Sequence, residues 1–423
     1  MIYPLLLLFS FLYLLSSSKV LNSGDAGEFV VSSLTLGIAH PSGYPLYVEI
    51  LKLFSFLPIG NLSFRMVLAS VVFSILSLFL VYLVSIKITK DKWCGLFIVT
   101  LLAVSYSFWG QSVVMKFYPL NLFLILIVIY YVVKTIIDGY ERKYQFIISL
   151  ILGLTLSNHH TGFMIALPLL VLSLFYWRDV LRNLPLSFLF FIAGFLVNLH
   201  MLIRGQKGFA MNNVFDLESF LFVFLRKTYE KGSSPEIAKN LTVGIEGYWY
   251  AFKNIAIILY NNFPLYTFPL FLLGLWFCFR FSKKLFIFLL SCFVTYSFLL
   301  AKLVFSQSLM NADAWYIGAH QYFLPMLALF AIFTGFGFLF ILKPIYGSSM
   351  KLVKILIPIS AIFIISLGIF ERLIDQNFNR NYIPHIVNKT IISSLPIGSV
   401  YLTFGDNHTF QAWYFPKIEI EIY

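Results

Sequence analysis

NSGDAGEFVVSSLTLGIAHPSGYPLY, residues 22–47, is the first polar segment after an apolar N-terminus, and the rest of the chain is arranged around it. It holds the first two acids, Asp25 and Glu28, and the first histidine, His40, in a chain only 11% charged. Asp25 and Glu28 stand three apart, so on a helix they share a face. Two readings follow. Asp-x-x-Glu is close to a capping box, with Asp25 as N-cap and Glu28 at N3 of a helix running to about Ala39. The same carboxylates at a membrane surface suit a general base acting on an acceptor hydroxyl. The following His40-Pro41-Ser42-Gly43-Tyr44-Pro45 is a chain reversal: proline restricts the residue before it and Gly43 permits positive φ. His40 is placed to reach a phosphate or the acid pair, or simply to be solvated.

The chain around this loop belongs in a membrane. Its 423 residues are 60% hydrophobic with a mean hydropathy of +0.87, against about 45–50% apolar in a soluble globular protein. The 48 Phe and 25 Tyr fit lipid-facing helices with aromatic belts. A net charge of +12 without a basic cluster fits positive cytoplasmic loops, not nucleic acid. Cys94, Cys278 and Cys292 lie in or beside apolar runs and match no metal spacing. The N-terminal run lacks the basic start and small-residue site of a signal peptide, so an uncleaved first span is expected.

Eleven apolar runs read as spans: 2–18, 64–86, 94–109, 119–137, 146–158, 161–177, 184–203, 264–280, 285–303, 322–342 and 353–370. Runs 146–158 and 161–177 are short enough to be one broken or tilted pair. With the N-terminus inside, the inward loops carry fourteen Lys and Arg against four acids, the positive-inside pattern. The C-terminus then lies outside. All seven histidines, with Asp25 and Glu28, fall in outward loops or at outward helix ends. Three outward segments are long: 19–63, 204–263, with interfacial helices near 216–228 and 236–261, and 371–423. The last reads as a strand over 399–404, a turn at Gly405-Asp406-Asn407, and a second strand or short helix over 410–415.

Other candidates sit on that face. Ser157-Asn158-His159-His160-Thr161 separates two apolar runs, and polar groups at membrane depth line a cavity or find partners. Lys116 and Tyr118 occupy a short outward turn and suit an interfacial anchor. Arg226 and Tyr229, near one turn apart on an amphipathic stretch, fit anionic headgroups or a lipid-linked sugar phosphate. Asp406 and Asn407 are ordinary turn residues. No Walker motif, dinucleotide fingerprint, zinc spacing or nucleophile elbow is present.

Gly24-Asp25-Ala26-Gly27-Glu28-Phe29, followed by Leu36-Gly37-Ile38-Ala39-His40-Pro41-Ser42-Gly43-Tyr44-Pro45-Leu46, resembles the signature of the transmembrane protein O-mannosyltransferases, a family of the GT-C superfamily with many bacterial relatives. The likeness continues at Ser107-Phe108-Trp109, Tyr118-Pro119-Leu120-Asn121, Gln321-Tyr322-Phe323-Leu324-Pro325 and Thr403-Phe404-Gly405-Asp406-Asn407-His408. One departure is Lys116, where the family usually has an acid.

The resemblance implies an all-α polytopic GT-C-like bundle of about 11 transmembrane helices, with outer-face loop helices and a small C-terminal α/β tail. Residues 1–370 would form the glycosyltransferase domain and 371–423 a short outer segment. It further implies inverting transfer of a hexose, mannose by kinship, from a polyprenyl-phosphate donor to a hydroxyl of a protein or glycan acceptor. Asp25 would be the base, with Glu28 sharing that role or orienting the acceptor. His40, Tyr44, Asn158, His159, His160, Arg226 and Tyr229 would bind donor phosphate or substrate. No metal or other cofactor is expected, and the partners are membrane lipids, donor and acceptor, not nucleic acid. The protein is expected in a bacterial or archaeal plasma membrane, or the ER membrane of a eukaryote. The rival expectation is a transporter or flippase of lipid-linked sugars, which would bury its polar groups near the bilayer midplane in paired broken helices.

Overall fold

Each of the eleven apolar runs is helical over most of its described residues in a computed structural model of the chain. The structure describes residues 1–22, 24–207, 209–211, 213–227, 245–301, 320–346, 351–396, 398–403 and 406–418. The first half contains α1 (Ile2–Ser16), α2 (Ala26–Thr35), α3 (Pro45–Ser55), α4 (Leu62–Thr89), α5 (Lys92–Ala103), α6 (Tyr106–Ser112), α7 (Tyr118–Asp138) and α8 (Arg142–Asn158). Then come α9 (His160–Phe163), α10 (Ala166–Ser173), α11 (Trp177–Arg182), α12 (Leu184–Phe195), α13 (Leu199–Arg204) and α14 (Leu217–Phe224). The rest is α15 (Ile245–Asn262), α16 (Thr267–Phe281), α17 (Lys283–Val294), α18 (Leu324–Tyr346), α19 (Lys351–Ser366), α20 (Gly368–Asp375), α21 (Ile383–Ser393) and α22 (Asp406–Ile418).

Four helical segments among the described residues are long and apolar enough to cross a membrane: Leu62–Thr89, Tyr118–Asp138, Leu184–Arg204 and His320–Pro344. The number rises to six if each of two bent pairs is one span. One is α5 with α6, bent by 72°; the other is Phe252–Asn262 with α16, bent by 109°. Among the described residues, length and composition thus support four to six of the eleven expected spans. Ile2–Ser16 and His160–Ser173 are shorter apolar helices, and the expected break between α8 and α10 falls at His159.

Close backbone approach joins the helices. A side chain at Gly274 or Gly337 would overlap the carbonyl of Phe333 or Leu270 across the α16–α18 contact. Gly153 and Gly194 do the same for α8 and α12. Small residues at such crossings let helices gain van der Waals contact where lipid offers no hydrophobic drive.

Three local expectations are corrected. Asp25 does occupy the N-cap of α2, but its side chain makes no capping hydrogen bond, and no capping box forms. A buried carboxylate takes the strongest partner available: Asp25 turns to Lys116 and Glu28 to His40. The helix ends at Thr35, four residues before Ala39. Leu36 is left-handed, the Arg204 guanidinium donates to the Thr35 and Leu36 carbonyls, and Ile38 bridges in parallel to Ala210. Non-local partners thus satisfy the carbonyls that further helix would have used. In the tail, the described residues 399–403 of the strand expected over 399–404 find no strand to pair with, the turn expected at Asp406 and Asn407 is helix, and of the two alternatives for 410–415 the helix forms, as part of α22. A strand without a ladder leaves its backbone groups unpaired.

α22 lies directly on α2. A side chain at Gly27 would overlap the Phe410 carbonyl, and Gln411 Nε2 donates to Asn22 O at 2.6 Å. The tail therefore roofs the first loop. Of the second long loop, α14 and α15 are described within the two expected interfacial stretches.

Candidate active site

The site grows from the reversal after α2. Tyr44 takes a left-handed conformation (φ 51°) and Pro45 starts α3, its missing N–H costing nothing at a helix start. This folds residues 40–44 back over α2. Glu28, 0% exposed, accepts the His40 backbone N–H on Oε1 at 2.6 Å and pairs its Oε2 with His40 Nδ1 at 2.5 Å. The other ring nitrogen, Nε2, lies 3.0 Å from the Tyr44 hydroxyl. Both Glu28 oxygens are spent on His40, and the side chain is sealed from solvent.

Asp25 differs. Its carboxylate is 20% exposed and meets Lys116 Nζ at 2.9 Å. Burial pushes its pKa up, but the Lys116 ammonium and the charge of His40 outweigh that and hold it below the usual carboxylate range. Glu28 is raised by burial, an effect its His40 bonds only partly offset. Burial would lower His40, yet the hydrogen bond and charge of Glu28, with the charge of Asp25, raise it above its ordinary 6.5. The two acids of one motif are thus pushed in opposite directions, the pattern by which environments separate acid and base roles.

An aromatic stack carries the site to α8 and the second long loop. The Phe117 ring packs 4.7 Å from both Tyr44 and His159, and Tyr44 stacks on His159 at 5.5 Å. His159 Nε2 lies 3.1 Å from Arg226 Nη1. Arginine only donates, so Nε2 accepts from it, while Nδ1 lies 2.7 Å from the Thr161 hydroxyl and 3.3 Å from the Thr161 backbone N–H. Arg226, like Tyr44, has positive φ (61°). Such strain in non-glycine residues gathers at functional sites.

The structure therefore joins Asp25, Glu28, His40, Tyr44, His159 and Arg226 in one constellation. Asn158 lies beside it, buried, donating to Asn121 Oδ1 at 3.3 Å while its own Oδ1 has no hydrogen-bond partner. His160 turns aside and packs on Phe224 at 4.8 Å. Tyr229 lies outside the described residues. Lys116 is not the surface anchor the sequence suggested: it is the ion-pair partner of Asp25, 91 positions away in the chain. Its standing where the family usually has an acid was the available signal. Asn121 and Tyr322, whose ring is 6.3 Å from His159, stand in stretches that carry the resemblance without being singled out as site residues, and no pattern marks Phe117. Among the described residues no group of three or more His, Cys, Asp or Glu is arranged to hold a metal ion.

The helical architecture is that of the GT-C membrane glycosyltransferases. ArnT from Cupriavidus metallidurans, solved bound to undecaprenyl phosphate, superposes with a TM-score of 0.62 over 97% of this chain and 83% of its own, at 12% identity. The Archaeoglobus fulgidus oligosaccharyltransferase gives 0.56 over 95% and 58%, at 14% identity. Within that class, residues 25–183 match the family model of the protein O-mannosyl-transferase TMEM260 N-terminal domain, which bears out the resemblance read from the first loop. The Dictyostelium discoideum protein O-mannosyl-transferase tmem260 is 25% identical over 93% of this chain. The Mus musculus TMEM260 protein is 24% identical over 51% of it. The chain spans 53% of the length of the first and 32% of the second.

Proposed function

We propose that this chain is a membrane glycosyltransferase moving a hexose, mannose by kinship, from a polyprenyl-phosphate donor to a hydroxyl of a protein or glycan acceptor. The observation that carries the reading is the contrast inside the acid pair. Asp25 is partly open and held ionised by Lys116, whereas Glu28 is closed and consumed by His40. Asp25 is then the base and Glu28 a positioning residue. In transfer the acceptor oxygen attacks the anomeric carbon from the face opposite the phosphate, with inversion. The hydroxyl proton passes to Asp25, and the bond from the anomeric carbon to the phosphate oxygen breaks. Polyprenyl phosphate leaves with the bonding pair. Arg226, oriented by His159, is suited to steady that charge, and fixed cationic donors do so without reorganising. Side chains handle the phosphate charge here, so the reading assigns no step to a cofactor. Relatives named as O-mannosyl-transferases and a fold neighbour solved with undecaprenyl phosphate support the donor class. The positive-inside pattern supports an N-in orientation with the site outward.

The test is hexose transfer in membranes from radiolabelled polyprenyl-phosphate sugars, comparing wild type with Asp25→Asn. Loss of a positioned base costs roughly 10²–10⁴-fold. Because the Asp25 side chain makes no capping bond, Asn at this position leaves the start of α2 intact. Full activity in Asp25→Asn would remove it as the base. No transfer by wild type from any hexose donor would favour a lipid-linked sugar transporter.

A further inference from the structure

At the end of α7 and α8 remote from Asp25 and His159, a cavity of about 450 Å³ opens between α7, α8, α10 and α12. Its volume falls in the range of small-molecule sites, roughly 300–1,000 Å³. The walls are graded. The depth is apolar, from buried Val132 and Leu172 with half-buried Ile148, Leu152 and Phe163, and exposed Leu170 lies at its outer edge. At the mouth they are polar and already organised: the Tyr140 hydroxyl donates to Gln145 Oε1, and Gln145 Nε2 donates to Ser187 Oγ at 2.7 Å and to Val180 O at 3.2 Å. Beyond the mouth basic residues outnumber the one acid of α11, exposed Asp179. Lys284 Nζ sits 4.7 Å over the ring of Tyr176, a lining residue. Exposed Arg178 and Arg182 flank Val180, another lining residue, on α11.

We propose that this cavity holds one anionic phospholipid of the leaflet opposite the candidate active site. One acyl chain occupies the apolar depth, the ester region meets the Tyr140–Gln145–Ser187 rim, and the phosphate lies by Lys284 and Arg178. The order apolar, polar, cationic along the cavity matches a phospholipid from tail to headgroup. Basic pockets between membrane helices recognise anionic headgroups in this way. A polyprenyl phosphate would bring an anion to the cations but has no ester region to meet the Tyr140–Gln145–Ser187 rim. The proposal is independent of the reaction at Asp25.

The test is native mass spectrometry of the full-length protein released from nanodiscs holding equal phosphatidylglycerol and phosphatidylcholine. Wild type is expected to retain one phosphatidylglycerol in preference to phosphatidylcholine. Lys284→Gln, an exposed change that spares folding, should weaken that retention about five-fold, from ~1 kcal/mol per basic residue near an anionic surface. Leu152→Trp fills the depth and should abolish retention of either lipid. As a second readout, added phosphatidylglycerol should raise the melting temperature of wild type but not of Leu152→Trp, since a ligand of the native state stabilises it. Absence of any retained phospholipid in wild type, equal retention of the two lipids, retention unchanged in both variants, or a retained polyprenyl lipid in its place would each overturn the proposal.

Discussion

Glu28→Gln tests whether the buried acid of the first loop is structural or chemical. In the native site Glu28 has no solvent, and both its oxygens are bonded to His40, itself 13% exposed. The substitution keeps an acceptor for the His40 N–H but removes the charge opposite the ring. Deleting one partner of a buried ion pair costs roughly 3–5 kcal/mol, so a loss of about 3 kcal/mol is expected at pH 6. The pH dependence gives the sharper signature. Glu28 and His40 are both raised in the folded protein from ordinary values of 4.5 and 6.5. Between the unfolded and folded values the native state therefore holds more protons, and stability falls as pH rises. His40's own contribution is complete below 6.5 and is lost as pH passes its raised folded value.

In Glu28→Gln a neutral imidazole can accept from the new amide, so the deficit against wild type should shrink from pH 6 to pH 9. The assay is the melting temperature of both proteins in detergent across that range, alongside sugar transfer. Unchanged stability at pH 6 with transfer abolished would refute the structural role and make Glu28 the base.

Three further outcomes follow from the same geometry. Lys116→Met leaves the Asp25 carboxylate without its ammonium, so the acid limb of the transfer–pH profile should move to higher pH, read from initial rates between pH 4 and 8. The resulting destabilisation, of order 2–4 kcal/mol for a pair that keeps some solvent, should be largely recovered in Lys116→Met with Asp25→Asn, as a double-mutant cycle in melting would show. Arg226→Gln removes the cation that His159 orients, and should lower transfer by more than tenfold while leaving the melting temperature within a few degrees of wild type. Gly27→Ala places a methyl group against the Phe410 carbonyl, and overpacking of this kind costs about 1–3 kcal/mol. Limited proteolysis should then release the C-terminal segment sooner than in wild type.

The membrane class, the position of nearly every apolar helix and the first-loop acids were all legible from composition and pattern. Apolar runs in a 60% hydrophobic chain have one stable outcome in lipid, where backbone groups must be bonded within the segment. The resemblance reached further, to the GT-C architecture and to Asp25, Glu28, His40, Tyr44, His159 and Arg226 on one site. It pointed to Asp25 as base but left Glu28 between sharing that role and orienting the acceptor. Glu28 and Asp25 look alike as letters three apart, and a capping box described both. Only folding placed His40 across one and Lys116 across the other, through contacts 12 and 91 residues distant. In the same way Arg204 ended α2 early, and the described residues of the strand expected over 399–404 stayed unpaired, because a strand needs a partner and none was at hand. Local sequence determined which segments are helical and which loop holds the polar groups, since both depend on near neighbours and on the solvent. Which carboxylate stays open was decided by the tertiary structure, because burial and ion pairing are properties of residues that meet only when the chain is folded.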